Sequence, residues 1–126
     1  MNTNETNNAL KIARTYFEAM ANRDIGEIMT LAADDIVCDS PAGHLEGTQS
    51  FRGFQEGFAR MINKLTLVDA FGNNEQAVII YEADTLPVKN ATVVEYINIK
   101  NGKMVSTQVI YDATPFLEYM ASQSKH

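Results

Sequence analysis

Three side chains in this sequence stand where proton chemistry could be done. Glu95 sits between Val94 and Tyr96, inside a run otherwise rich in Val, Ile, Thr and Tyr. An isolated ionised carboxylate is costly to bury there. Glu95 is therefore either neutral and donating a hydrogen bond, or paired with a cation such as Arg14, Arg52 or Arg60. Asp112 ends the same stretch. In an apolar surround of Met104, Ile110 and Phe116 its carboxylate would gain basicity and could remove a proton beside a carbonyl. The plainer reading makes Asp112 a strand-end residue capping a helix that starts at Thr114. Tyr16 falls on an apolar helical stripe, where a phenol is more often core with its hydroxyl tied to a carbonyl, unless it meets Glu95.

Other reactive types carry weaker signals. His44 lies in the loop PAGHLEG near Asp39 and Glu46, but the spacing matches no ligand motif and only one internal histidine is available. No metal and no cofactor is expected, and His44 is placed at a cavity rim or in solvent. Cys38 has no neighbouring histidine or basic residue in the chain and reads as a small core hydrophobe. Glu82 and Asp84 read as a solvated strand face, with the inward direction of Glu82, and of Asp39, left open.

The element that must position these groups is the stretch from Ala91 to Asp112. Two strand-like runs flank Asn101-Gly102, a pair that accepts the positive φ angles of a type I′ hairpin turn. With those two residues as turn centre, Glu95 faces Gln108 and Ile97 faces Ser106. Alternation then puts Val93, Glu95, Ile97 and Ile99 on one face with Met104, Ser106, Gln108, Ile110 and Asp112. The opposite face carries Thr92, Val94, Tyr96 and Asn98 with Val105, Thr107, Val109 and Tyr111. Both faces are largely apolar, so the expected form is a sheet curled around a mostly apolar cavity with a few polar groups pointing in.

Upstream, Ala9, Leu10, Ile12, Ala13, Tyr16, Phe17 and Met20 recur at helical spacing, predicting a helix to about Ala21 after a disordered start over 1–8 with a cap among Thr6, Asn7 and Asn8. Asp24 caps a second helix ending at Asp34-Asp35. A short strand over 36–38 stops before Pro41, and 40–48 is a loop. Phe51, Phe54, Phe58, Met61, Ile62 and Leu65 make a third helix whose phenylalanines are core or cavity wall. Two strands follow around Gly72-Asn73-Asn74, the second running from Ala77 to Ala83 and including Ile80. Thr114-Pro115 starts a last short helix carrying Phe116. The order α-α-β-α-β-β-β-β-α, with helices gathered against a mostly antiparallel sheet, is an α+β fold.

The totals agree with one soluble domain spanning 1–126. The chain has 126 residues, 45% of them hydrophobic and 21% charged. No apolar run approaches membrane-spanning length and no secretory pattern opens the chain. A net charge of −6 without a Lys/Arg cluster argues against nucleic acid or an anionic membrane as partner. One cysteine excludes an internal disulfide and fits a cytoplasmic location. Asn4-Glu5-Thr6 and Asn90-Ala91-Thr92 match the glycosylation pattern by chance on that reading.

Three pieces, YFEAMANRDIGEI, ADDIVCDSPAG and VVEYINIKNGKMVSTQVIYD, resemble the nuclear-transport-factor-two-like cone fold, which includes ketosteroid isomerases and SnoaL-like polyketide cyclases. The resemblance covers about residues 9–118. It implies a cone-shaped α+β fold in which a curved sheet wraps around helices and an apolar pocket. Tyr16 falls where ketosteroid isomerases keep the phenol of an oxyanion hole, and Glu95 where they keep a protonated acid. Their general base corresponds to Ser40, with Asp39 one residue away on the opposite strand face. Ala32 and Gln55 stand where one branch has tyrosines supporting the phenol. Asp112 falls where SnoaL-like cyclases keep an acid–base aspartate, and Glu95 where they have a histidine.

The resulting expectation is catalysis by Asp112, Glu95 and Tyr16, with a substrate-binding set of Ser40, His44, Phe54, Phe58, Ile80, Ile97, Gln108, Ile110 and Phe116. The ligand would be a small hydrophobic carbonyl compound, isomerised or cyclised without a cofactor. A non-catalytic binding or dimerisation module on the same fold is the alternative. An epoxide hydrolase would need an Asp–Arg–Asp set whose arginine is not evident on these strands. A homodimer is expected through the sheet face carrying Thr92, Val94, Tyr96, Val105, Thr107 and Val109.

Overall fold

A computed structural model describes residues 8–123. The start expected to be disordered, most of the expected first helix cap, the Asn4 glycosylation pattern and His126 lie outside the described residues. Helix α1 (Asn8–Ala21) buries Ala9, Ala13, Tyr16, Phe17 and Met20 of the stripe its sequence spacing predicts, while Leu10 and Ile12 are half-buried at its edge. Arg23, in the following turn, donates from its guanidinium to the carbonyls of Ala59 and Ile62, at 3.3 and 2.5 Å. Asp24 caps α2 (Ile25–Leu31), its carboxylate accepting from the Glu27 amide at 3.1 Å.

Helix α2 stops at Leu31, earlier than the expected Asp34-Asp35, because the chain becomes extended at Ala32. Strand β1 (Ala32–Ser40) buries Ala32, Ile36 and Cys38 while Asp34 and Asp35 face solvent. The segment expected as a loop contains a further strand, β2 (Gly43–Glu46), which folds back on β1 with Asp39 opposite His44. Helix α3 (Thr48–Met61) ends before Ile62 and Leu65, which belong instead to β3 (Ile62–Gly72). Strands β4 (Gln76–Thr85), β5 (Ala91–Lys100) and β6 (Lys103–Ile110) follow, and α4 (Thr114–Gln123) closes the order.

The sheet has six strands in the order β2-β1-β6-β5-β4-β3 and does not close. It is mixed: β1 runs parallel to β6 and the remaining pairs are antiparallel. Helix α1 lies against β3, β4 and β5, and α3 against β1 and β2, so the helices cover one face. None of the helices among the described residues is long and apolar enough to cross a membrane.

The β5–β6 turn has the expected geometry, with φ of 54° at Asn101 and 76° at Gly102. The register beyond it does not. Lys100 faces Lys103 and Ile99 faces Met104, but then Asn98 faces Ser106, so one extra residue is accommodated on β6. From there Ile97 faces Thr107 and Glu95 faces Val109. Every later residue of β6 is turned to the face opposite the expected one. The gain is clear from the side chains: Thr107 and Val109 go inside, whereas a regular ladder would bury Ser106 and Gln108. The outer row therefore carries Gln108 and Ile110 with Val94 and Tyr96, and the face expected to pair two copies loses Thr107 and Val109.

Candidate active site

Burial on the inner sheet face leaves Glu95 only 1% exposed among Ile79, Val93 and Ile97. Its neutral surroundings supply hydroxyls rather than a cation. The Tyr16 hydroxyl, from α1, donates to Glu95 Oε1 at 2.8 Å, and Thr107, from β6, donates to the same oxygen at 3.0 Å. The Tyr81 hydroxyl, from β4, donates to Oε2 at 2.5 Å. Gln55 reaches in from α3, its side-chain amide donating to the Tyr16 oxygen at 3.0 Å. None of Arg14, Arg52 and Arg60 bonds to Glu95; Arg52 pairs with Glu56 on its own helix.

A carboxylate offers about four acceptor positions. Oε1 receives two donors and Oε2 one, so one position on Oε2 is left for a proton or a ligand. Burial raises the pKa of Glu95, and the bonds from Tyr81, Tyr16 and Thr107 offset that only in part. The group is held above the ordinary carboxylate range. Burial and the neighbouring Glu95 charge also push both phenols, Tyr16 and Tyr81, well above their ordinary values. Burial drives the Cys38 thiol to about 12, so it remains a neutral core group.

Glu95, Tyr81 and Gln55 form the polar floor of a cavity of about 700 Å³. Its walls are apolar: Phe54 and Phe58 from α3, Val93 and Val109 from the sheet, and Phe116 from α4. The Phe116 ring packs edge-on against Tyr111, with centroids 5.3 Å apart. Tyr16 approaches Glu95 from the helix side, behind this floor.

The expected site residues thus divide. Glu95 and Tyr16 are brought together, and Phe54, Phe58 and Phe116 line the cavity. Ile97 is fully buried in the core rather than in the cavity wall. Ser40 is half-buried behind Tyr111, its hydroxyl accepting from the Ala42 amide at 3.1 Å. Ile80, Gln108 and Ile110 are on the outer face, the last two because of the extra residue on β6. Asp112 is exposed, and its carboxylate accepts from the Thr114 amide at 3.0 Å, the capping arrangement. His44 is exposed on β2, Nδ1 at 2.6 Å from Asp39 and Nε2 at 2.8 Å from Glu46.

Tyr81 and Thr107 complete the cluster without having been placed there by sequence reasoning, and Gln55, at a position where the resemblance has a phenol-supporting tyrosine, bonds the Tyr16 hydroxyl. The signal for Tyr81 is its alternation with Ala77, Ile79 and Ala83, the apolar row of β4. Gln55 is a polar side chain on the apolar stripe of α3. Thr107 needs the register of β6, which no local pattern announces.

Comparison with known proteins adds the lineage. The SnoaL-like domain family matches residues 13–107. The chain belongs to the SnoaL-like family. A crystal structure of a Kribbella flavida protein is similar to this SnoaL-like chain at 31% identity and a TM-score of 0.88, covering 96% of this chain and 100% of that one. A candidate ketosteroid isomerase from the same organism is 16% identical with a TM-score of 0.77, covering 86% and 80%. A candidate polyketide cyclase from Sinorhizobium meliloti is 15% identical with a TM-score of 0.71, covering 79% and 93%. The last two likenesses are of fold. No curated protein matches the sequence.

Proposed function

We propose that this SnoaL-like protein binds a small hydrophobic carbonyl compound in the cavity and shifts its protons, as an isomerase or an aldol-type cyclase. The observation that carries the reading is a buried carboxyl, raised in pKa, at the floor of an apolar cavity with an acceptor position to spare. With Glu95 neutral, the proton on Oε2 is donated to the substrate carbonyl oxygen. As that proton transfers, the three hydroxyls of Tyr16, Tyr81 and Thr107 stabilise the carboxylate left behind. The charged carboxylate then takes a proton from the carbon beside the carbonyl, giving the enol and restoring neutral Glu95. The enol reprotonates elsewhere in an isomerisation, or attacks a second carbonyl of the same molecule in a ring closure.

Neither Asp112 nor Ser40 is needed in this scheme, in which one carboxyl serves as acid and then as base. The exposure of Asp112 also supports a second reading, a binding module of the same fold, because among the described residues no second carboxylate or histidine lines the cavity. Exchange in heavy water separates the two. Hydrophobic ketones and enones that bind the protein should gain deuterium beside the carbonyl, and Glu95→Gln should abolish that gain while binding persists. Binding without exchange for the native protein would sink the enzymatic reading and leave the binding one.

A further inference from the structure

Among the described residues, one acidic and one basic side chain line the cavity, Glu95 at its floor and Arg60 at its open side. Arg60 belongs to the last turn of α3, where a cation also favours the helix C-terminus. That role does not require it to line the cavity. Among the described residues its guanidinium has no carboxylate within salt-bridge distance, although the chain carries 16 acidic and 10 basic side chains. A guanidinium offers five donors in a planar fork suited to carboxylate or another oxyanion.

The surface leading to Arg60 is bare. Gly53, Gly57 and Arg60 stand at i, i+4 and i+7, on one face of α3, and all three line the cavity. A methyl group at Gly53 would meet no atom within 4 Å, and one at Gly57 would meet only the Arg60 guanidinium, at 3.9 Å. No packing in the protein calls for glycine at either place, and glycine inside a helix is unfavourable. What the two glycines leave is room for an occupant to lie against the helix backbone, between Phe54 and Phe58 on one side and Arg60 ahead.

We propose that the ligand is an amphiphilic anion: an apolar body lying on the Gly53–Gly57 face, its carbonyl at Glu95 and Tyr81, its acidic group on Arg60. The inference rests on the cavity being the ligand site, as argued above. The Arg60 guanidinium lies 3.9 Å from where a methyl group at Gly57 would stand, so the acidic group sits beside that glycine on the bare face of the helix. The chain's net charge of −6 repels an anion in general, so recognition falls to this one local cation.

Two fluorescent probes test this on the native protein: anilinonaphthalene sulfonate, an apolar anion, and phenylnaphthylamine, its neutral counterpart. Both should bind, and Arg60→Gln should weaken the sulfonate about fivefold, the scale of an exposed ion pair, while leaving the neutral probe unchanged. Arg60→Lys should restore part of the loss. Equal binding of the sulfonate to native and Arg60→Gln proteins, with the neutral probe still bound, would overturn the anionic ligand and leave the cavity reading intact. Failure of both probes to bind the native protein would overturn the cavity reading and this inference with it.

Discussion

Two clusters in this molecule are built from the same materials and differ in solvent. At Glu95, one carboxyl is surrounded by hydroxyls from α1, β4 and β6 and excluded from water. At His44, one imidazole lies between the carboxylates of Asp39 and Glu46 on the β1–β2 edge, more than half exposed. The distances are equally short. In the first case each bond replaces lost hydration, so the proton's position is set by the protein. In the second, water competes for every group and salt screens the charges. Short distances therefore do not rank these clusters; burial does. In the proposed function it makes Glu95 the group that exchanges protons, and it leaves His44 a surface feature.

The largest expected effect is on the buried side. Glu95→Ala would leave three hydroxyls facing a void and should cost about 3 kcal/mol in chemical denaturation. Glu95→Gln keeps the volume and part of the bonding and should cost about 1 kcal/mol near pH 4. A loss under 1 kcal/mol for the alanine variant would erase the contrast between the clusters.

A smaller effect sharpens it. Because the folded protein holds the Glu95 proton more tightly than the unfolded chain, its stabilising share is complete below the ordinary value of 4.5. It is lost as pH rises from there through the raised folded value. Denaturation of the native protein against Glu95→Gln over that window should show the gap closing or reversing as pH increases. A gap that widens with pH would mean the carboxylate, not the acid, is the favoured form.

The smallest effect belongs to His44. Both ring nitrogens face carboxylates, which favours the imidazolium and raises its pKa through the bonds to Glu46 and Asp39. Its contribution is present below 6.5 and fades as pH rises through the folded value, but exposure keeps it slight. His44→Gln should leave the thermal midpoint unchanged within error between pH 5 and 8. A clear drop confined to the acidic side would show the exposed cluster to matter more than its solvation allows.

Helical spacing made the α1 stripe legible, and Asn101-Gly102 made the β5–β6 turn legible, because both signals are local. The meeting of Tyr16 with Glu95, 79 residues away, followed from the family resemblance and from the cost of burying a charge on β5. The place of Thr107 in the cluster was hidden by a single extra residue on β6. That residue turned Thr107 inward and sent Gln108 and Ile110 to the other side, a decision made by the pairing of two strands rather than by either sequence alone. Strand β2 was hidden for a similar reason: Gly43 and Gly47 signal turns, and only the partner strand makes the four residues from Gly43 to Glu46 extended.

The claim beneath all of this is that Glu95 keeps its proton where ordinary glutamates have lost theirs. Titration of side-chain carboxyl carbons by carbon-13 NMR, with Glu95 assigned from the Glu95→Gln spectrum, measures it directly. The account predicts a midpoint for Glu95 above the ordinary value of 4.5. A midpoint at or below that value would contradict it.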